Sequence, residues 1–495
     1  VSAASRSDVV WADLQAWSLG SPARVALWQW FVVPVACAGA IVFPFPAAAV
    51  TAFALLVAWQ WRRPESVLLL LIALMGNVKV NYYLAGAITV FPEYIVLVAS
   101  CVVVGLQAME GRRVTVDRET SLWFAAWTFA GLISFVSAYN VGRVASKAML
   151  LPISALVFHW AHSTLRDDAR LQRVLRWFEV SVLLMSVYGI VQMIGVFLHL
   201  DVGLSLLRRW GNPEFEYNIG APVLYRLNST FRANSLFNDP NILGGYLAAS
   251  VPLLLSVTVS PAWRTSGRRI TFRWVVLVAV LLCLLLSLSR SGFLGAVCGL
   301  ATTLCWMPRQ FLRPRLWVGL LVVAASVAAA ALAVDVNPLV LFGRISSSIG
   351  GEEYSARVHK DLLSFGLDLL RRHPLTGVGL RNFGEYYARE IDPRMVTMMA
   401  HNAYLTYFTE SGLLGGSVFL GLLSVIGRRV WSSLQLPELL ARHPMRHAAL
   451  AGLSGSLVAL AVCNVFYDFS LRTFVWVFCG LAYGLARLGA AESPA

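Results

Sequence analysis

Charged and imidazole side chains set among apolar runs are the residues here whose placement could support chemistry. A charge at or within a bilayer is costly unless a partner, water or a ligand compensates it. Lys79, Arg143, Lys147, Arg226, Arg232, Arg290, His401 and Arg472 form the set expected at the outer ends of helices. Arg290 lies in Leu288-Ser289-Arg290-Ser291-Gly292, between two apolar runs of about 15 residues, or about 23 Å of helix each. A hairpin that short puts the arginine at or slightly below the surface. There it either faces an anion or a water-filled cavity, or snorkels to headgroups. His401 opens His401-Asn402-Ala403-Tyr404, where a long polar connection enters an apolar run. That position suits a proton acceptor or a structural brace. Asp239-Pro240 has the ordinary chemistry of a helix start, Asp as cap and Pro at the first helical position. Glu410 falls about 9 residues, or about 13 Å, beyond His401 on the opposite helix face, and is expected to pair with a buried donor.

Other constellations point to no metal and no cofactor. His159 and His162, and His443 and His447, have the spacing of neighbours on a helix, but neither pair has acids or thiolates nearby. No phosphate-binding glycine loop or Ser-His-Asp arrangement follows from spacing. All seven cysteines fall inside apolar runs and read as small buried hydrophobes.

The elements that must position these residues follow from composition. With 58% hydrophobic and 13% charged residues, the 495-residue chain could not hide its apolar surface in water. Runs long enough to cross a core of about 30 Å number about fourteen. They span residues 25–43, 46–61, 67–84, 92–109, 122–139, 144–161, 178–198, 240–259, 274–288, 292–307, 316–334, 403–426, 448–466 and 471–485. The third is interrupted by Asn77, Lys79 and Asn81. The expected fold is all-α, a polytopic bundle of about 12–14 transmembrane helices forming one membrane domain over residues 1–495. The N-terminal stretch lacks a signal-peptide pattern, so the first run is expected to be a retained helix.

The net charge of +14 is a topology signal and not the basic face of a nucleic-acid binder. Arg62-Arg63, Arg112-Arg113, and the basic stretches 166–176, 264–273, 309–315 and 428–446 alternate onto one side. That side is expected to be cytoplasmic, with both termini. Connections 199–239 and 335–402 then face outward and are far longer than usual. Within the second, Leu362, Leu363, Leu367, Leu369 and Leu370 predict an amphipathic helix over 354–372. Arg371 and Arg372 close it before His373-Pro374.

The segments His373-Pro374-Leu375-Thr376-Gly377-Val378-Gly379-Leu380-Arg381-Asn382-Phe383, His401-Asn402-Ala403-Tyr404-Leu405 and Glu410-Ser411-Gly412-Leu413-Leu414-Gly415 resemble the O-antigen ligase and Wzy-type polymerase superfamily. Phe237-Asn238-Asp239-Pro240-Asn241 and Ser289-Arg290-Ser291-Gly292 are similar to its two upstream motifs. The resemblance covers roughly residues 232–415 and leaves the first seven helices unmatched.

It implies transfer of a glycan from an undecaprenyl-pyrophosphate-linked oligosaccharide donor onto an acceptor sugar hydroxyl at the periplasmic face of the bacterial inner membrane. Neither metal nor nucleotide sugar is implied. The acceptor is lipid A core for a ligase and a second lipid-linked repeat for a polymerase, and the sequence leaves both open. His401, Arg290 and Arg232 carry over as catalytic residues. Arg226, Asn241, Asn402, Tyr404 and Arg381, in and beside the same motifs, carry over as substrate contacts. Guanidinium forks suit a pyrophosphate leaving group, and a neutral imidazole could take the acceptor proton. Nearby arginines are expected to favour the neutral imidazole by like-charge repulsion. Besides membrane lipids and these glycans no partner is implied. A flippase of the same lipid-linked glycans is the competing class, but its typical inverted repeats are absent from the sequence.

Overall fold

The computed structural model describes residues 53–60, 66–74, 82–84, 88–90, 92–109, 117–198, 223–225, 230–237, 239–263, 267–312, 321, 325, 329 and 354–491. The chain divides into two compact units. Val1–Pro64 with Val98–Gly111 forms one, and Glu65–Leu97 with Arg112–Ala495 forms the other. The first has helical residues at 53–60 and 98–109. All candidate residues lie in the second.

The fold is all-α. Its longer helices among the described residues, leaving aside 53–60 and the single turn Pro308–Phe311, are α1 (Ser66–Leu74), α2 (Pro92–Met109), α3 (Arg118–Ile133), α4 (Val141–Ala148), α5 (Leu150–Thr164), α6 (Asp168–Phe197) and α7 (Pro240–Val259). They continue as α8 (Gly267–Ser287), α9 (Arg290–Trp306), α10 (Tyr354–Arg372), α11 (Phe383–Glu390), α12 (Ala403–Leu434), α13 (Pro437–Arg442), α14 (Pro444–Phe466) and α15 (Thr473–Ala491). Seven helical spans among the described residues are long and apolar enough to cross a membrane, and two shorter apolar helices accompany them. The run 25–43, half of 46–61 and all of 316–334 except residues 321, 325 and 329 lie outside the described residues.

The helices over 178–198, 274–288 and 403–426 extend beyond those runs, to Asp168–Phe197, Gly267–Ser287 and Ala403–Leu434, and two further runs differ in kind. The run 67–84 does not form one helix: α1 ends at Leu74, and Tyr82–Leu84 pairs antiparallel with Ile88–Val90. In the sequence, the polar Asn77, Lys79 and Asn81 interrupt that run. The run 144–161 lengthens into the span Val141–Thr164, in which α4 and α5 meet at Met149. A second hairpin pairs Val223–Tyr225 with Thr230–Arg232.

Helix α7 is the central pillar. Its entire apolar window is buried, as expected of a helix apolar on every face. It packs against α8, α9 and α14, and α14 also lies along α9. Small residues permit this closeness: a Cβ added to Gly292 would sit 2.9 Å from the Gly244 carbonyl carbon, and one added to Gly299 would sit 2.5 Å from the Gly455 oxygen. Helix α15 packs on α5, and α12 on α3.

Helix α10 forms where the leucine spacing predicts it, but its leucines divide between two surroundings. Leu362, Phe365 and Leu369 enter a core with Val378, Phe383, Tyr386 and Leu405, whereas Leu363 and Leu367 are exposed. One face thus packs onto α11 and the start of α12, and a second apolar ridge faces outward.

Candidate active site at one end of the bundle

The helices α7, α9, α12 and α15 all begin at one end of the bundle, and the candidate residues cluster there. Asp239 caps α7 by accepting from the Asn241 N–H at 2.6 Å, Ser289 caps α9 from Gly292, and Asn402 caps α12 from Leu405. Each cap satisfies one exposed N–H, and the converging positive helix ends favour an anion.

Arg232 ends the second hairpin and is buried. Its Nε donates to the Ser287 carbonyl at 2.8 Å, and its Nη2 donates to Asn241 Oδ1 at 2.8 Å. The next residue, Ala233, donates its N–H to Leu286 O at 3.0 Å. The strand bearing Arg232 is therefore stitched to the turn that leads into Arg290. Leu288 takes a left-handed conformation there, φ 48°, which makes the reversal between α8 and α9 abrupt. Arg290, half-buried, is the first residue of α9.

His401 also has a left-handed backbone, φ 49°, a conformation costing a non-glycine residue about 1–3 kcal/mol. Two rings pack on its imidazole: His359 of α10 with centroids 5.6 Å apart, and Tyr467 beyond α14 at 5.4 Å. The Tyr467 hydroxyl donates to Asp239 Oδ2 at 3.1 Å. Burial lowers the His401 pKa, while the Asp239 and Asp468 carboxylates pull it upward. This corrects the expected cause of neutrality: desolvation favours the neutral ring, and carboxylates oppose it. The positive charge of Arg290 falls on His359 instead, whose pKa drops to about 4 through burial and through repulsion from His401 and Arg290.

The loop before His401 is fixed by a kink. Gly412 interrupts α12 with φ 68°, ψ −170°, and strand-like contacts fill the opening. Val378 N donates to Thr409 O and Gly379 N to Glu410 O, both at 2.9 Å, and Leu413 N donates to Pro374 O at 2.7 Å. Glycine is required on both sides, since a Cβ at Gly377 would lie 2.5 Å from Glu410 C, and one at Gly412 would lie 2.1 Å from Leu375 O. Glu410 pairs with a buried donor as expected, Lys147 Nζ at 3.0 Å, and its Oε2 also accepts from Arg381 N at 2.7 Å. Asp468 reaches the same lysine at 3.6 Å. Arg143 holds the segment from the other side, 3.1 Å from Glu385 and donating to Val396 O at 2.7 Å.

The structure thus gathers Arg232, Asn241, Arg290 and His401 at one end, and gives the remaining candidates other surroundings. Asn402 spends its side chain on the helix cap. Tyr404 donates its hydroxyl to Ala461 O at 3.0 Å, on α14. Arg381 lies beside the Lys147 and Glu410 pair, with Nη1 3.5 Å from Ser146 Oγ. Arg226, like Lys79, lies outside the described residues. His159 and His162 bond each other at 3.0 Å, and His447 N bonds the His443 carbonyl. Among the described residues no three His, Cys, Asp or Glu side chains are grouped to hold a metal ion.

Asp239, His359, Tyr467 and Asp468 were not singled out from sequence as site residues. Tyr467-Asp468 carries one signal in the sequence, a short polar turn between the runs 448–466 and 471–485, close to Arg472. His359 had none, because only the packing of α10 on α12 brings it to His401.

No curated protein matches the chain. Residues 275–420 match the family model described as O-antigen ligase, a stretch that includes Arg290, His359, His401 and the Gly412 kink. With seven helical spans among the described residues long and apolar enough to cross a membrane, the match supports a membrane glycosyltransferase-like function. Over those residues, and not over the rest of the chain, the sequence is similar to the O-antigen ligase family.

Proposed function

We propose that this protein transfers a glycan from an undecaprenyl-pyrophosphate carrier to the hydroxyl of an acceptor sugar, at the periplasmic face of the bacterial inner membrane and without a metal. The acceptor is lipid A core in the ligase form of the reaction and a second lipid-linked repeat in the polymerase form. The segment 335–402 is read as a large periplasmic loop inserted between transmembrane helices, and it leads into His401.

In this reaction the acceptor oxygen bonds to the donor sugar's C1 as the C1–oxygen bond to pyrophosphate breaks. The electron pair leaves on the pyrophosphate, and the acceptor's proton passes to His401. Arg232 and Arg290 stabilise the charge growing on the leaving group, aided by the helix starts at Pro240 and Arg290. Neutral His401 is a competent acceptor because burial holds its pKa down. Asn241 fixes one arm of Arg232, and so orients the guanidinium.

The observation that carries this reading is the continuous set of contacts from Arg232 through Asn241, Asp239 and Tyr467 to His401, which joins an anion-binding group to a proton acceptor. Deletion of the gene, followed by analysis of lipid-linked and surface glycans, tests it. A missing ligase strands long polymer on the carrier lipid, and a missing polymerase leaves single repeats there. Unchanged glycans on both carrier and surface would overturn the reading.

A further inference from the structure

Tyr467 lies outside the family match and outside every motif in the sequence, yet it is the residue through which two of those motifs touch. Its ring packs on His401 with centroids 5.4 Å apart and planes tilted by 49°. Its hydroxyl donates to Asp239 Oδ2 at 3.1 Å. The other carboxylate oxygen of Asp239 accepts from Asn241 N, and Asn241 in turn holds Arg232. No side-chain hydrogen bond from the described residues fixes His401, so aromatic packing determines where its imidazole lies. We infer that Tyr467 is a positioning residue for His401: its ring braces the imidazole, and its hydroxyl ties that brace to Asp239 while moderating the charge Asp239 presents to the ring. This rests on the transfer reading for its kinetic consequence only.

Four elements surround His401 with groups that bear on its protonation. Asp239 comes from the start of α7, Tyr467 and Asp468 from the turn after α14, His359 from α10, and Arg290, which acts on His359, from the start of α9. Asp239 and Asp468 favour the charged imidazole. The Tyr467 phenol is pushed up, by burial first and then by the Asp239 charge, so it stays protonated and remains a donor. A phenol donating to Asp239 disperses negative charge that would otherwise act on the imidazole. Removing the hydroxyl should raise the His401 pKa, and removing the Asp239 charge should lower it.

The test uses full-length protein in detergent and reads His401 directly. Diethyl pyrocarbonate acylates neutral imidazole, so the rate at which the His401 peptide is modified, followed by mass spectrometry across pH, titrates the residue without any transfer reaction. The expected result is a midpoint raised by about half a pH unit in Tyr467→Phe and lowered by a similar amount in Asp239→Asn. In the double variant the Tyr467→Phe increment should vanish, because it acts through Asp239. Transfer by Tyr467→Phe should fall about 10-fold in kcat with little change in donor KM, and Tyr467→Ala, which also loses the ring, should fall further. Unaltered midpoints in Tyr467→Phe, or an increment that survives Asp239→Asn, would overturn the inference. If Tyr467→Phe does not fold, Asp239→Asn with Tyr467→Trp repeats the comparison from the other end of the bond, and an unshifted midpoint there overturns it equally. Absence of transfer in the wild type contradicts the proposed function and leaves the titration result to stand by itself.

Discussion

Arg290 and His401 are assigned different tasks, and their chemistry allows the two to be separated. A guanidinium can hold two phosphate oxygens at once in a planar fork, which an ammonium cannot. Arg290→Lys should therefore lose at least about 10-fold in transfer and in affinity for a lipid-pyrophosphate donor, measured side by side. Equal donor binding in the variant would remove Arg290 from the anion site. For His401 the informative variable is pH. The proposed reaction needs the neutral ring, so transfer is full above the His401 pKa and is lost as pH falls through it. Because burial lowers that pKa from the usual value of about 6.5, the acid limb of the rate should lie below about pH 6.5 in wild type and disappear in His401→Ala. A limb centred above pH 7 would show that the carboxylates dominate. The sequence identifies both residues by a local anomaly, a cation or imidazole at the mouth of an apolar run. It hides Tyr467, Asp239 and His359, whose significance exists only once α7, α10 and the end of α14 meet.

At the scale of elements, the kink in α12 sets the position of the site. Without the break at Gly412, Glu410 could not turn its carbonyl to Gly379, and the loop ending at His401 would lose its anchor. Gly412→Ala places a Cβ 2.1 Å from Leu375 O on a residue with φ 68°. It should cost about 1–3 kcal/mol and lower the melting temperature in detergent, while reducing transfer more than the stability loss explains. A variant with unchanged melting and unchanged transfer would show that the loop is anchored elsewhere. The start of α7 was legible because Asp-Pro is a cap followed by a proline, and the start of α12 because Asn402 precedes an apolar run. The failure of 67–84 to form one helix was announced by Asn77, Lys79 and Asn81, whereas the pairing of Tyr82–Leu84 with Ile88–Val90 was not. The kink itself was illegible, since a glycine in a long apolar pattern reads as a tolerated helix residue until its loop partner is known.

For the whole molecule, the arginine alternation and the position of the site make one statement together. The cluster around His401 sits where α7, α9, α12 and α15 begin, while ion pairs such as Arg487 with Asp117 and Arg428 with Glu119 involve the other ends of α15, α3 and α12. Positive charge marks the cytoplasmic side, so the site end is expected outside. Reporter fusions after Leu224 and Glu353 should be active only outside the cytoplasm, and fusions after Arg268 and Arg429 should report the cytoplasm. A cytoplasmic signal at Leu224 or Glu353 would separate the site from its proposed donor. The most direct test of the central claim is the transfer rate of purified His401→Ala against wild type, with a lipid-pyrophosphate glycan donor and excess EDTA present. The proposed site predicts that wild type transfers undiminished in EDTA, and that the variant folds and binds donor but transfers about 10² to 10⁴ more slowly. A folded variant that transfers near the wild-type rate, or a wild type silenced by EDTA and restored by magnesium, would contradict it.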